Sequence, residues 1–151
     1  FRISHDANEP VAYTFTQECA TDRKKASVVT DLGYFDDYVV DNLRESDIML
    51  VEANHDINML QVGPYPFYLK KRILGNKGHL SNETSGQLVN SLLHDNLKKI
   101  YLGHLSKENN YDKLAYETVK LEIDMSDNSF KSSDFDIEVA KRDVLSGICE
   151  I

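Results

Sequence analysis

The chain has 151 residues, 41% of them apolar and 28% charged, with a formal net charge of −8. That is enough for one domain with a real core, and no apolar run of about 18 residues exists to cross a bilayer. The acidic balance excludes a broad basic face that coats nucleic acid, but not an enzyme that grips a few phosphates locally.

Residues 1–4 (FRIS) read as the end of a strand whose beginning lies upstream, so the chain is expected to be part of a longer protein. Residues 6–10 (DANEP) form a turn. Positions 11–17 (VAYTFTQ) alternate and predict a strand, 18–24 a polar turn, and 26–30 (ASVVT) a short buried strand ending at Asp31. A short amphipathic helix is predicted over 36–45, then a strand at 48–51 (IMLV) covered on both faces. The Gly63-Pro64 break and Pro66 separate one turn of helix from a helix over 66–74, closed by Gly75. Lys70, Lys71 and Arg72, with Lys77, read as a solvated helix face or, alternatively, a phosphate grip. Asn82 is the expected N-cap of a helix reaching about Asn96, with Leu88, Val89, Leu92 and Leu93 inward. His94 suits that helix's C-terminal dipole and is read as structural. A strand at 98–102 (KKIYL), a helix at 112–119, a polar connection at 126–134 and an edge strand at 137–142 complete the pattern. The fold class is α/β, with a mixed sheet flanked by helices: a hairpin first, parallel crossovers later. Cys19 and Cys149 lack CxxC spacing, nothing suggests a signal peptide, and two free thiols in a reducing, cytoplasmic compartment are expected.

The tetrapeptide GHLS occurs at 78–81 and again at 103–106. A helix of about 14 residues rises roughly 20 Å, and the strand after it returns roughly 20 Å. His79 before the helix and His104 after the strand therefore share one edge of the sheet, although the identity of the two copies reads as incidental. Asp31 and Glu52 each follow a buried strand, and His5 follows a strand end, so the same edge collects them. Imidazoles and carboxylates without thiolate suit zinc, manganese or iron. Such an ion lowers the pKa of bound water towards about 7, and a pair about 3.5–4 Å apart can hold the attacking and leaving oxygens of a phosphoester. Taken singly, each residue also has a plain reading: a histidine at a helix start as a cap, an aspartate after a strand as a turn residue.

Five stretches carry a wider resemblance: SHDANEP with AYTF, VVTDLGYF, LVEANHD, GHLSNETSG and YLGHLSKENN. In this order and spacing the chain resembles the C-terminal half of a metallo-β-lactamase-fold hydrolase, an αββα sandwich. The combination is that of the WalJ group (also YycJ or VicX), itself similar to RNase Z and the phosphodiesterase PhnP. The resemblance implies His5, Asp31 and His104 as metal ligands, Asp31 bridging two divalent ions, manganese or zinc. It implies His79 as the residue facing the scissile phosphate, oriented by Glu52, with His55, Asn82 and Ser106 on the substrate side. The implied activity is that of an exonuclease hydrolysing DNA through metal-bound hydroxide.

The family's HxHxDH signature is absent, since no two histidines stand two apart. Residues 1–151 are therefore expected to be a partial domain, not competent alone. Hydrolysis of a small cyclic or nucleotide phosphodiester is the alternative within enzymes. A non-catalytic binding or assembly module is the alternative outside them, associating as a homo-oligomer through an exposed sheet face.

Overall fold

The structure, a computed structural model, describes residues 1–19 and 22–151. Two antiparallel strands come first, β1 (Tyr13–Cys19) and β2 (Asp22–Val29), with Tyr13 opposite Val28. Three parallel additions follow: β3 (Ile48–Glu52), β4 (Lys99–Gly103) and β5 (Asp136–Val139). The sheet runs in the order β1-β2-β3-β4-β5, so the chain never steps over a strand already laid. Helices fill the intervals: α1 (Asp37–Leu43), α2 (Ile57–Val62), α3 (Phe67–Ile73), α4 (Asn82–Asn90) and α5 (Asp112–Met125). A 3₁₀ turn, Ser132–Asp134, leads into β5. The expected α/β class and mixed sheet are present. Among the described residues no helix is long and apolar enough to cross a membrane.

Several boundaries differ from the sequence reading, each for a local reason. The hairpin strands extend through most of the segment expected to turn; positions 20–21 and the Cys19 thiol lie outside the described residues. Ser81, not Asn82, caps α4, its Oγ accepting from the Thr84 amide at 3.2 Å. Helix α4 stops at Asn90, where the Ser91 hydroxyl bonds back to the Leu88 carbonyl at 2.7 Å. His94 thus lies beyond the helix. Its Nδ1 lies 3.3 Å from the Asn96 amide and its Nε2 3.0 Å from the Ser46 carbonyl, so backbone partners rather than a helix C-terminus hold the ring. Helix α5 runs on to Met125 because Ile123 continues the buried stripe of Ala115 and Val119 through charged neighbours.

The sheet has one covered face and one open face. Val29, Met49, Val51, Ile100, Leu102 and Ile137 point towards the helices and join Leu43, Leu88, Val89, Ala115, Val119 and Ile123 in one core. Strand β3, expected to be covered on both faces, alternates instead: Met49 and Val51 are buried, Ile48 and Leu50 only half buried. On the open face one row reads Tyr13, Val28, Leu50, Tyr101, with Phe15, Ala26 and Ile48 in the next. Strands β2, β3 and β4 are parallel, so their carboxyl ends meet at one edge and deliver Asp31, Glu52 and His104 there.

A candidate metal centre at the carboxyl edge

Glu52, the last residue of β3, is fully buried, yet its carboxylate is surrounded by donors. Oε2 accepts from the Asp31 amide at 2.6 Å and pairs with Nδ1 of His104 at 2.7 Å and Nδ1 of His79 at 3.2 Å. Oε1 accepts from the Leu80 amide at 2.8 Å. Burial alone would raise the Glu52 pKa, but the hydrogen bonds from His104 and His79 more than offset it and hold the group below its ordinary value. The same bond raises His104, against a smaller opposing effect of burial. Both Nδ1 atoms face an acceptor, the arrangement that in a neutral ring puts the free lone pair on Nε2.

Asp31 and His104 each follow the end of a parallel strand, and both adopt φ 58°. A left-handed conformation costs a residue other than glycine about 1 kcal/mol or more, and such residues cluster where geometry serves a site. Here it turns both side chains inward. Asp31 Oδ1 lies 3.6 Å from His5 Nε2 and 3.7 Å from both His79 Nδ1 and His104 Nε2. The rings of His5 and His79 are 5.1 Å apart between centroids, those of His79 and His104 5.2 Å. Donor atoms of Asp31, Glu52, His79 and His104 lie within 4.8 Å of one another, a spacing that one cation could draw together. His5 stands beside this group. Its Nδ1 accepts from the Ala7 amide at 3.0 Å, and its Nε2 is buried and unpartnered. A buried ring nitrogen without a hydrogen-bond partner, beside a carboxylate, is a donor that fits a cation. Imidazole with carboxylate fits manganese or zinc in donor type.

Close backbone contacts pull the loops together. Gly33 donates to the Ser4 carbonyl at 2.7 Å, and a Cβ on it would come within 2.3 Å of the Asn76 carbonyl oxygen. A Cβ on Gly78 would meet the Ile73 oxygen at 2.1 Å. These two glycines let the loops of His5, Asp31 and His79 touch. Arg72 forks onto both Asp6 oxygens, tying α3 to the His5 loop, and holds the Asp6 carboxyl down to about 2. The basic run of α3 thus contributes a structural clamp at Arg72.

The two GHLS copies do the same work, which corrects the reading of their identity as incidental. Each histidine places Nδ1 on the same Glu52 oxygen, and each serine accepts from the backbone amide three residues on: Ser81 from Thr84, Ser106 from Asn109. The link from Glu52 to His104 was not visible in the sequence, where Glu52 pointed only to His79. Ser106 joins His5, Asp31, His79 and His104 in the wall of a cavity of about 1340 Å³. His55 and Asn82, expected on the substrate side, are 1% and 0% exposed and lie beneath the site. Asn82 pairs with Asn110, and both His55 ring nitrogens are buried without a partner.

Fold and site together define an α/β domain with a candidate metal centre of histidine and carboxylate at the carboxyl edge of its sheet. No protein-family model matches the chain. Over 127 residues, 84% of its length, it is 42% identical to the Exodeoxyribonuclease WalJ of Streptococcus pneumoniae. To the Exodeoxyribonuclease YycJ of Bacillus anthracis it is 38% identical over 119 residues, 79% of its length. The chain is a homologue of the WalJ/YycJ proteins over that stretch. It spans about half the length of the curated relatives it matches, 46% and 44% of them.

Proposed function

We propose that this chain supplies one half of a metallo-β-lactamase-like αββα domain in a metal-dependent exodeoxyribonuclease. One observation carries the reading: a buried carboxylate, Glu52, holds the imidazoles of His79 and His104 while Asp31 and His5 close the ring around them. The names of the relatives supply the DNA substrate. The open apolar face of the sheet supports a second half packed against it, which would also bring the remaining ligands.

In this reading Asp31, His104 and His5 would hold the metal. A divalent cation bound there supplies Lewis acidity towards phosphate oxygens and water. Glu52 accepts Nδ1–H from both rings, which holds His104 Nε2 towards Asp31 and raises the basicity of each Nε2. His79, half-buried beside Asp31, is the proton donor for the leaving oxygen, since an imidazole can carry and release a proton near neutral pH. Ser106 lines the substrate side. The chain alone offers too few donors to be competent.

The decisive comparison uses the protein as it is made in the cell, with manganese content and DNA digestion measured on the same samples. Asp31→Asn and His104→Ala should lose both metal and activity. His79→Gln should keep metal and lose about 10²–10⁴-fold in rate. Full activity in the Asp31 variant would sink the metal-centre reading. Cleavage of small phosphodiesters without digestion of DNA would replace the substrate.

A further inference from the structure

Behind the imidazoles lies a layer of buried amides that no metal or substrate role accounts for. Asn54, two residues past Glu52, bonds to both loops that carry site histidines. Its amide donates to the Leu80 carbonyl at 3.1 Å, next to His79, and its own carbonyl accepts from the Ser106 amide at 2.7 Å. Its side-chain Nδ2 donates to the His104 carbonyl at 2.9 Å. Asn110, also buried, donates to the carbonyls of Ala53 at 2.9 Å and Asn54 at 3.1 Å and exchanges amide bonds with Asn82. The segment just after Glu52 is thereby clamped from the far side as well.

Of the bonds at Asn54, three run through its backbone and survive any ordinary substitution; one belongs to the side chain. That one ends on the carbonyl of a residue held at φ 58°. Backbone in that region persists where its surroundings over-determine it. If the peptide after His104 turned away, the Cα–Cβ direction would turn too, and Nδ1 would leave Glu52 Oε2. We propose that Asn54 is a positioning residue for His104: its side-chain amide fixes the His104 carbonyl and so aims the ring at Glu52 and Asp31. The consequence for cation binding rests on the metal-centre reading above; the aim of the ring rests on geometry alone.

Asn54→Leu removes the donor while keeping the same branching and number of side-chain heavy atoms, and Asn54→Asp keeps the shape but turns an oxygen towards the carbonyl. Val119→Ala, in the core of α5, serves as a destabilised control. In the metal-free protein as made in the cell, the His104 Nδ1–H bound to Glu52 should give a low-field proton resonance, assigned by its loss in His104→Gln. Both Asn54 variants should lose it and bind Mn²⁺ about 10–100-fold more weakly. Val119→Ala should keep the signal and the affinity. Retention of the resonance in either folded Asn54 variant overturns the proposal. If the resonance behaves as expected but the wild-type protein binds no Mn²⁺, the metal-centre reading fails and the positioning role stands.

Discussion

His55 shows how a residue can sit in a functional motif and act through burial. It is 1% exposed with neither ring nitrogen partnered, and burial pushes its pKa from 6.5 down to about 4. Between those values the unfolded chain binds a proton that the folded chain refuses. Stability therefore falls as pH drops from about 6.5 to about 4, by at most about 3 kcal/mol, and levels off below. His104 acts in the opposite sense: its raised pKa gives stability that is complete below 6.5 and lost as pH climbs through the folded value. In urea unfolding of the metal-free protein, His55→Phe should flatten the acid limb between pH 4 and 6.5. An unchanged slope would assign the acid sensitivity elsewhere. The sequence marked His5, Asp31, Glu52, His79 and His104 as one set because each follows or precedes a predicted element. It could not mark Asn54 or Asn110, because an asparagine shows no spacing rule that separates a turn residue from a buried clamp.

The contact between α4 and α5 is the closest approach of two helices in the fold at a glycine. Gly86 of α4 faces α5 so closely that a Cβ would stand 2.5 Å from the Cβ of Glu122 and 3.3 Å from the Cα of Val119. Ala is worth about 1 kcal/mol over Gly in an exposed helix, whereas forced overpacking costs about 1–3 kcal/mol. Because Glu122 Cβ is anchored to its helix, the second effect should win. Gly86→Ala is expected to lower stability by up to about 2 kcal/mol, read as a lower denaturant midpoint at constant slope; a higher midpoint would show that the helices separate at little cost. Helix length was the weakest part of the sequence reading for a related reason. Hydrophobic spacing placed Leu88 and Val89 correctly, yet the stop at Asn90 depends on one serine hydroxyl choosing a carbonyl.

At the scale of the molecule, the open sheet face is the feature that asks for a partner. Tyr13 and Phe15 are 56% and 60% exposed and stack at 6.2 Å between centroids. If the remainder of the proposed domain covers them, Tyr13→Thr with Phe15→Thr should destabilise the whole protein by about 3 kcal/mol or more. The same pair of changes should make the isolated 151-residue chain more soluble. A melting temperature unchanged in the whole protein would mean that this face meets water there.

Sequence alone determined the strand order of events: short apolar runs followed by polar residues, helices between them, and therefore one edge rich in histidine and carboxylate. It also carried the resemblance to the WalJ group, the part of that reading which the WalJ/YycJ relatives bear out. Only the tertiary structure decided that Glu52 binds two imidazoles, that both GHLS copies serve the same carboxylate oxygen, and that His55 lies beneath the site. The physical reason is that strand and helix periodicity is a local property, readable over a few residues. A buried carboxylate's partners are chosen by loops 27 and 52 residues away in the chain, and that choice exists only once the backbone has closed around it.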